Sequence, residues 1–189
     1  ENSTSYTAWS SGGTASKTYQ ITTTYTSAEL YDLQFTQSAD VMYIVHPDHP
    51  PAKLSRTAHT TWSLDDVAFT NGPYLDANTT ATTLTPASAG TGTGVNITAS
   101  AVTGINNNVG WLATDVGREI FFNSGKATIT ARTNSTVAVA TITTAFTNTN
   151  ATVAFQLDAW SGTTGYPRTV SFFEQRLVFG GSESYPQTI

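Results

Sequence analysis

The segment GKATITARTNSTVAVATITTAF, Gly125 to Phe146, alternates small apolar and hydroxylated residues one by one over most of its length. That period of two limits the fold more than any other feature. Successive side chains of a strand point to opposite faces, whereas a helix returns to the same face only every 3.6 residues. Ala127, Ile129 and Ala131 alternate with Thr128, Thr130 and Arg132; Asn134-Ser135 turns the chain; Val137 and Val139 resume the pattern. The spacing predicts an antiparallel hairpin with one apolar face.

The same reading predicts strands elsewhere. QSADVMYIVH (Gln37 to His46) sets Val41, Tyr43 and Val45 against Met42, Ile44 and His46, both faces being largely apolar, so the strand is expected to be buried on both sides. AKLSR, TTWSLDDVAF, ATVAFQLDAW and SFFEQRLVFGG read as further strands, and TYQITTTY (Thr18 to Tyr25) has strand-like composition. TSAELYDL is the one helix start, with Thr26 or Ser27 as N-cap and Glu29 in the first turn, and β-type residues after it hold it to one or two turns. Residues 1–18 are rich in Ser, Thr and Gly and read as a linker or an irregular strand turning at Gly12-Gly13. The expectation is an all-β chain.

Composition narrows the function. Charged residues are 11% of the 189, against roughly 25% in ordinary soluble domains. A weakly charged Thr/Ser/Asn/Gly surface suits a secreted or particle-bound β protein whose surface is covered in an assembly. Eight Lys and Arg against thirteen Asp and Glu give a net charge of −5, without the clustered basic footprint that tight nucleic-acid binding needs. There is no cysteine, so disulfides, thiolate metal sites and cysteine nucleophiles are excluded. No apolar run reaches the roughly 18 residues of a membrane-spanning helix. The sequence opens at Glu1 without a signal-peptide pattern or initiator Met, which fits a processed product or an excised piece.

Several stretches hold residue types capable of chemistry. VHPDHPP, Val45 to Pro51, concentrates His46, Asp48 and His49, all metal-ligand types. A zinc tetrahedron wants further ligands, and His59 is the only other histidine, so a proline-stiffened turn is the favoured reading. Asp65-Asp66, with Asp115, Glu119 or Glu174 as partner, could supply a glycosidase-type carboxylate pair, but adjacency in sequence does not place the two groups. GTGTG (Gly90 to Gly94) lacks the last glycine of a dinucleotide-binding turn. Trp9, Trp62, Trp111 and Trp160, with Tyr74 and Tyr166, could form a sugar-binding platform if exposed. Five Asn-x-Ser/Thr sequons (Asn2, Asn78, Asn96, Asn134, Asn150) follow from the high Thr content alone.

Two longer segments, LQFTQSADVMYIVHPDHPPAKLSR (Leu33 to Arg56) and WSGTTGYPRTVSFFEQRLVFGGSESYPQTI (Trp160 to Ile189), resemble signatures of podovirus-type tail tube, or nozzle, proteins. Between them, Asn71 to Ala89 and Leu112 to Ile142 resemble the small β-domain insert of the FCCH type. The resemblance implies a discontinuous, incomplete propeller-like platform over 19–68 plus 156–189, and an inserted β-barrel or sandwich over 69–155. It implies a parent of several hundred residues, located in the virion tail as part of the DNA-ejection conduit. The implied partners are a six-fold homo-oligomeric ring, neighbouring tail adaptors, and DNA that passes without tight binding or any membrane anchor. Gln37, Asp40, His46, Pro47, His49, Pro50, Arg56, Gly165, Tyr166, Pro167, Arg176 and Gly180 are then structural signature residues. Catalysis, cofactor and metal are not implied. Arg176 is expected as a buried or interface ion-pair partner of Asp40 or Glu174. A conduit lumen should not be lined by Lys126, Arg132 and Arg168, since a basic lumen would hold DNA. The alternatives are a receptor- or glycan-binding module of a tail fibre or cell-surface protein, and a cell-wall hydrolase using Asp65, Asp66 or Glu174.

Overall fold

The computed structural model describes residues 5–7, 14–16 and 19–189. Trp9, Asn2 and the turn expected at Gly12-Gly13 lie outside the described residues. The chain is all-β, with 44% of the described residues in strands. β1 (Ser5–Thr7) and β2 (Thr14–Ser16) pair antiparallel. β3 (Gln34–Ser38), β4 (Val41–His46), β5 (His49–Ala58) and β6 (Thr61–Asp66) form a four-stranded antiparallel meander. β7 (Leu84–Pro86), β8 (Gly92–Ala99), β9 (Glu119–Phe122), β10 (Gly125–Arg132), β11 (Val137–Thr144) and β12 (Phe155–Leu157) form a second sheet in the order β12-β9-β10-β11-β8-β7. β13 (Thr169–Phe173) and β14 (Arg176–Gly180) make a hairpin, and β13 packs on β3 and β4. Among the described residues, no helix is long and apolar enough to cross a membrane.

The six-stranded sheet curls into a half-barrel. Its two edges come together where Leu84 in β7 exchanges backbone bonds of 2.8 and 3.0 Å with Thr152, just ahead of β12. The outer edge of β12 is capped by Leu75 and Asn78, whose N–H groups donate to Leu157 and Phe155. Exposed strand edges are thereby satisfied. The curl encloses the main core, including Leu84, Ile97, Ile105, Trp111, Ile120, Phe122, Ile129 and Phe155, all at most 2% exposed. Phe122 and Phe146 meet at 4.3 Å between ring centroids.

The hairpin from Gly125 forms as expected, but its second strand has the opposite phase. Ala127 pairs with Ile142 and Ile129 with Ala140, so Ala138, Ala140 and Ile142 are the buried set, and Val137 and Val139 are half-buried on the outer face. The loop runs past Asn134-Ser135, since the N–H groups of Thr133 and Asn134 both reach Val137 O. A register shift between Ile129 and Ala131 then leaves Ala131 exposed.

The meander departs from expectation in its burial. Of β4 only Val45 and His46 are buried, and Val41 to Ile44 are half-buried; no second sheet covers the meander among the described residues, and what packs on it is β13 together with the segment from Tyr19 to Tyr31. Tyr19 to Tyr25 forms no strand; strand propensity without a neighbouring strand does not make a ladder. The helix start is one 3-10 turn, Glu29–Tyr31. Pro50 and Pro51 sit inside β5 without loss, because the register shifts between the pairs His46↔His49 and Ile44↔Ala52 and needs no donor there. Pro51 O instead accepts the Val67 N–H at 2.7 Å.

Candidate functional site

The β4–β5 turn is closed by the cross-strand pair His46↔His49, with Pro47 and Asp48 at its tip. His46 is 1% exposed. Its Nδ1 accepts the N–H of Asp48 at 3.1 Å, which puts the ring proton on Nε2, and that buried atom has no partner. His49 lies beside it, ring centroids 5.0 Å apart, and its Nε2 meets Glu29 Oε1 at 3.1 Å. Tyr25 covers the pair, 5.1 Å from the His49 ring and 6.3 Å from that of His46. Burial, then the charge of Asp66, pushes the Tyr25 phenol above its ordinary pKa.

The 3-10 turn brings Glu29 to this place. Its N–H donates to Thr26 O at 3.2 Å, and its Oε2 accepts the Thr26 N–H at 2.6 Å and the Thr26 hydroxyl at 2.8 Å. The N-cap of the turn is Ala28, not the expected Thr26 or Ser27, and it carries no side-chain cap; the Glu29 carboxylate instead reaches back to Thr26. Those Thr26 bonds, with the His49 contact, lower its pKa to about 2. One nitrogen of each histidine and one Glu29 oxygen lie within 4.8 Å of one another, the one group among the described residues with metal-ligand composition and spacing. Asp48 and His59, the other expected ligands, are exposed and not part of it. Pro47 and Asp48 form the turn between β4 and β5, and Glu29 is the partner that sequence spacing did not reveal.

The two segments that carry the signature residues meet beside this turn. Pro47 O accepts the Tyr166 N–H at 2.8 Å, and Tyr43 meets Phe172 edge-on at 6.0 Å. Gly165 has a φ of +78°, and a side chain there would press on Glu183 at 3.1 Å. Pro167 is buried beside it, and the next N–H, that of Arg168, donates to Gly180 O and Gly181 O. Gln37 holds the β3–β4 turn through Ala39 O at 2.8 Å. Asp40 pairs with Arg56 at 3.6 Å on the surface, and Arg56 lies over the Trp62 ring at 5.7 Å. Arg176 is therefore not the partner of Asp40. It is exposed next to the tight Glu174-Gln175 turn, where it pairs across the hairpin with Phe173 and makes no ion pair among the described residues.

The charge centre that sequence reading missed is Asp115–Arg118, at 3.1 Å with both side chains 0% exposed. Asp115 also accepts from Asn106 Nδ2, the Leu112 N–H and the Thr163 hydroxyl, and Arg118 donates to Asn106 Oδ1 and Asp158 O. Asn106, Asn107 and Asn108 all take positive φ, which Asn tolerates better than other non-glycine residues. Burial lowers the pKa of Arg118, against the pull of Asp115. Burial raises Asp158 to about 6. Tyr74 donates a short bond to Glu119, which also pairs with Lys126 at 3.5 Å. Tyr74 is raised well above the usual phenol value, by burial first and Glu119 second.

The candidate carboxylates thus have separate local settings: Asp65 and Asp66 exposed on β6, Asp115 under Arg118, Glu119 between Tyr74 and Lys126, Glu174 in a hairpin turn. The three described tryptophans do not form one face. Trp111 is 0% exposed in the core, Trp62 lies under Arg56, and Trp160 is wedged between Phe69 and Phe179 at 5.1 and 5.7 Å. Trp160 and Tyr74 do share a cleft of about 530 Å³ with Asp76, Phe179 and Tyr185. Comparison of the sequence with protein-family models and with curated proteins gives no match.

Proposed function

We propose that this chain is a structural component of a bacteriophage tail nozzle, contributing to the wall of the DNA-ejection conduit. In this reading the meander and the β13–β14 hairpin belong to an incomplete propeller-like platform, and the half-barrel is its inserted FCCH-like module. The observation that carries it is a contrast in burial. The half-barrel encloses its large apolar side chains apart from Val109, Val116 and Val153, whereas the meander side leaves Leu30, Tyr31, Phe35 and Phe173 at 56, 94, 64 and 65% exposure. Open apolar side chains of that size, with only 11% charged residues, suit a surface covered in an assembly. The sequence resemblance supplies the kind of assembly, a ring whose subunit edges pack to close it.

The absence of cysteine gives a clean test. Phe173→Cys in intact particles carrying the chain should resist maleimide and become labelled once the particles are dissociated. Free labelling in intact particles would refute the reading. The second reading, a glycan-binding module, is favoured by the cleft holding Tyr74 and Trp160. Retention on a glycan array, lost in Trp160→Ala, would support it over the conduit.

A further inference from the structure

We propose that Glu29, His46 and His49 form a binding site for a divalent transition-metal ion of the zinc class, which staples the Thr26–Tyr31 turn onto the β4–β5 turn. The proposal stands on the local geometry and is independent of any role in a tail. Three candidate ligand atoms lie within 4.8 Å of one another, and the His49 Nε2 to Glu29 Oε1 distance is already 3.1 Å. Ligand atoms of a tetrahedral zinc ion stand about 3.3 Å apart, given metal–ligand bonds near 2.0–2.1 Å. Two imidazoles and one carboxylate are a set that zinc accepts with water in the fourth position, and the absence of thiolates and of further oxygen ligands disfavours softer and harder ions.

A second observation points the same way. His46 is 1% exposed, and its Nε2 is a buried polar atom with no partner. Such an atom is costly unless something occupies it. The surroundings also allow entry, since the side chains of His49 and Glu29 remain 23 and 25% exposed. Oε2 of Glu29 is held by Thr26, which leaves Oε1 toward the histidines.

Coordination has a definite proton balance. The ion takes the place of the proton now lying between His49 Nε2 and Glu29 Oε1, and each ring bound through Nε2 carries its proton on Nδ1. At His46 this breaks the 3.1 Å bond from the Asp48 N–H. Asp48 is exposed, so its N–H can turn to water. The orphaned Nε2 gains a ligand in exchange.

The test uses the full chain, Zn²⁺ in a chelator-competition titration, and Co²⁺ absorption as a report on coordination. The expected result is one ion per chain, a tetrahedral-type Co²⁺ spectrum, and a rise in melting temperature with Zn²⁺. Glu29→Gln and His49→Ala, both at partly exposed positions, should each weaken Zn²⁺ binding at least about tenfold. His59→Ala should leave it unchanged. Circular dichroism of the variants separates lost binding from lost folding. No uptake of Zn²⁺ by the wild-type chain overturns the proposal, as does uptake that survives in folded Glu29→Gln and His49→Ala or disappears in His59→Ala.

Discussion

Asp115→Asn is the substitution whose consequence is best defined. The carboxylate accepts four donors: Arg118 Nη1 and the Thr163 hydroxyl on Oδ1, and Asn106 Nδ2 and the Leu112 N–H on Oδ2. An amide keeps the shape, but in either orientation its NH₂ faces two of those donors. Two hydrogen bonds at about 1 kcal/mol each are lost. Arg118, 0% exposed, also loses its salt-bridge partner, leaving Asp158 as a weaker counter-charge nearby. Removing one member of a buried pair costs about 3–5 kcal/mol in total. For a chain of 189 residues each kcal/mol shifts the melting temperature by about 2–4 °C, so a fall on the order of 10 °C is expected. Urea titration followed by circular dichroism should show a lower midpoint with an unchanged slope. Adding Arg118→Met to Asp115→Asn should restore part of the loss, because the stranded charge is gone. A loss below about 1 kcal/mol in Asp115→Asn alone would refute the claim that the pair anchors this loop.

Two further outcomes follow from the same structure. Asp158 has a native pKa of about 6, above the ordinary 3.8, so the folded state holds its proton more tightly and this group's contribution to stability falls as pH rises from about 4 to about 6. Asp158→Asn should therefore gain on the wild type across that window, and parallel melting-temperature curves from pH 4 to 8 would contradict this. The lowered pKa of Glu29 acts with opposite sign and only below about pH 4.5, so it does not confuse the comparison. Gly110 has a φ of +84°, and an added Cβ would lie 2.1 Å from Ser135 O. Gly110→Ala should cost at least about 2 kcal/mol in denaturant titration, and a neutral result would show that the Val102–Trp111 loop can shift.

Strand content was legible because the chain writes its alternation in small and branched residues. The phase of a strand was not. Val139 is the larger hydrophobe, yet Ala138 and Ala140 face the core, because the turn is longer than Asn134-Ser135 and the register shifts at Ile129. Burial of Val41 to Ile44 was overestimated for a related reason: two apolar faces in the sequence do not say whether a second layer exists to cover them. The site shows the same limit. His46 and His49 were visible as a pair with two residues between them at a turn, but Glu29 carried only a helix-start signal, and its approach depends on how the Thr26–Tyr31 turn folds back. Asp115 and Arg118 stand at the i, i+3 spacing common on surfaces, and only the three-dimensional enclosure shows them buried.

The assignment to a tail conduit is tested most directly by electron cryo-microscopy of particles that carry the chain. A conduit component should appear in a closed ring around a central channel at one capsid vertex. Phe35 and Phe173 would lie against a neighbouring subunit or blade, and the lumen would not be lined by Lys126, Arg132 and Arg168. A monomer, or a slender trimeric fibre with Phe35 and Phe173 in solvent, would contradict it.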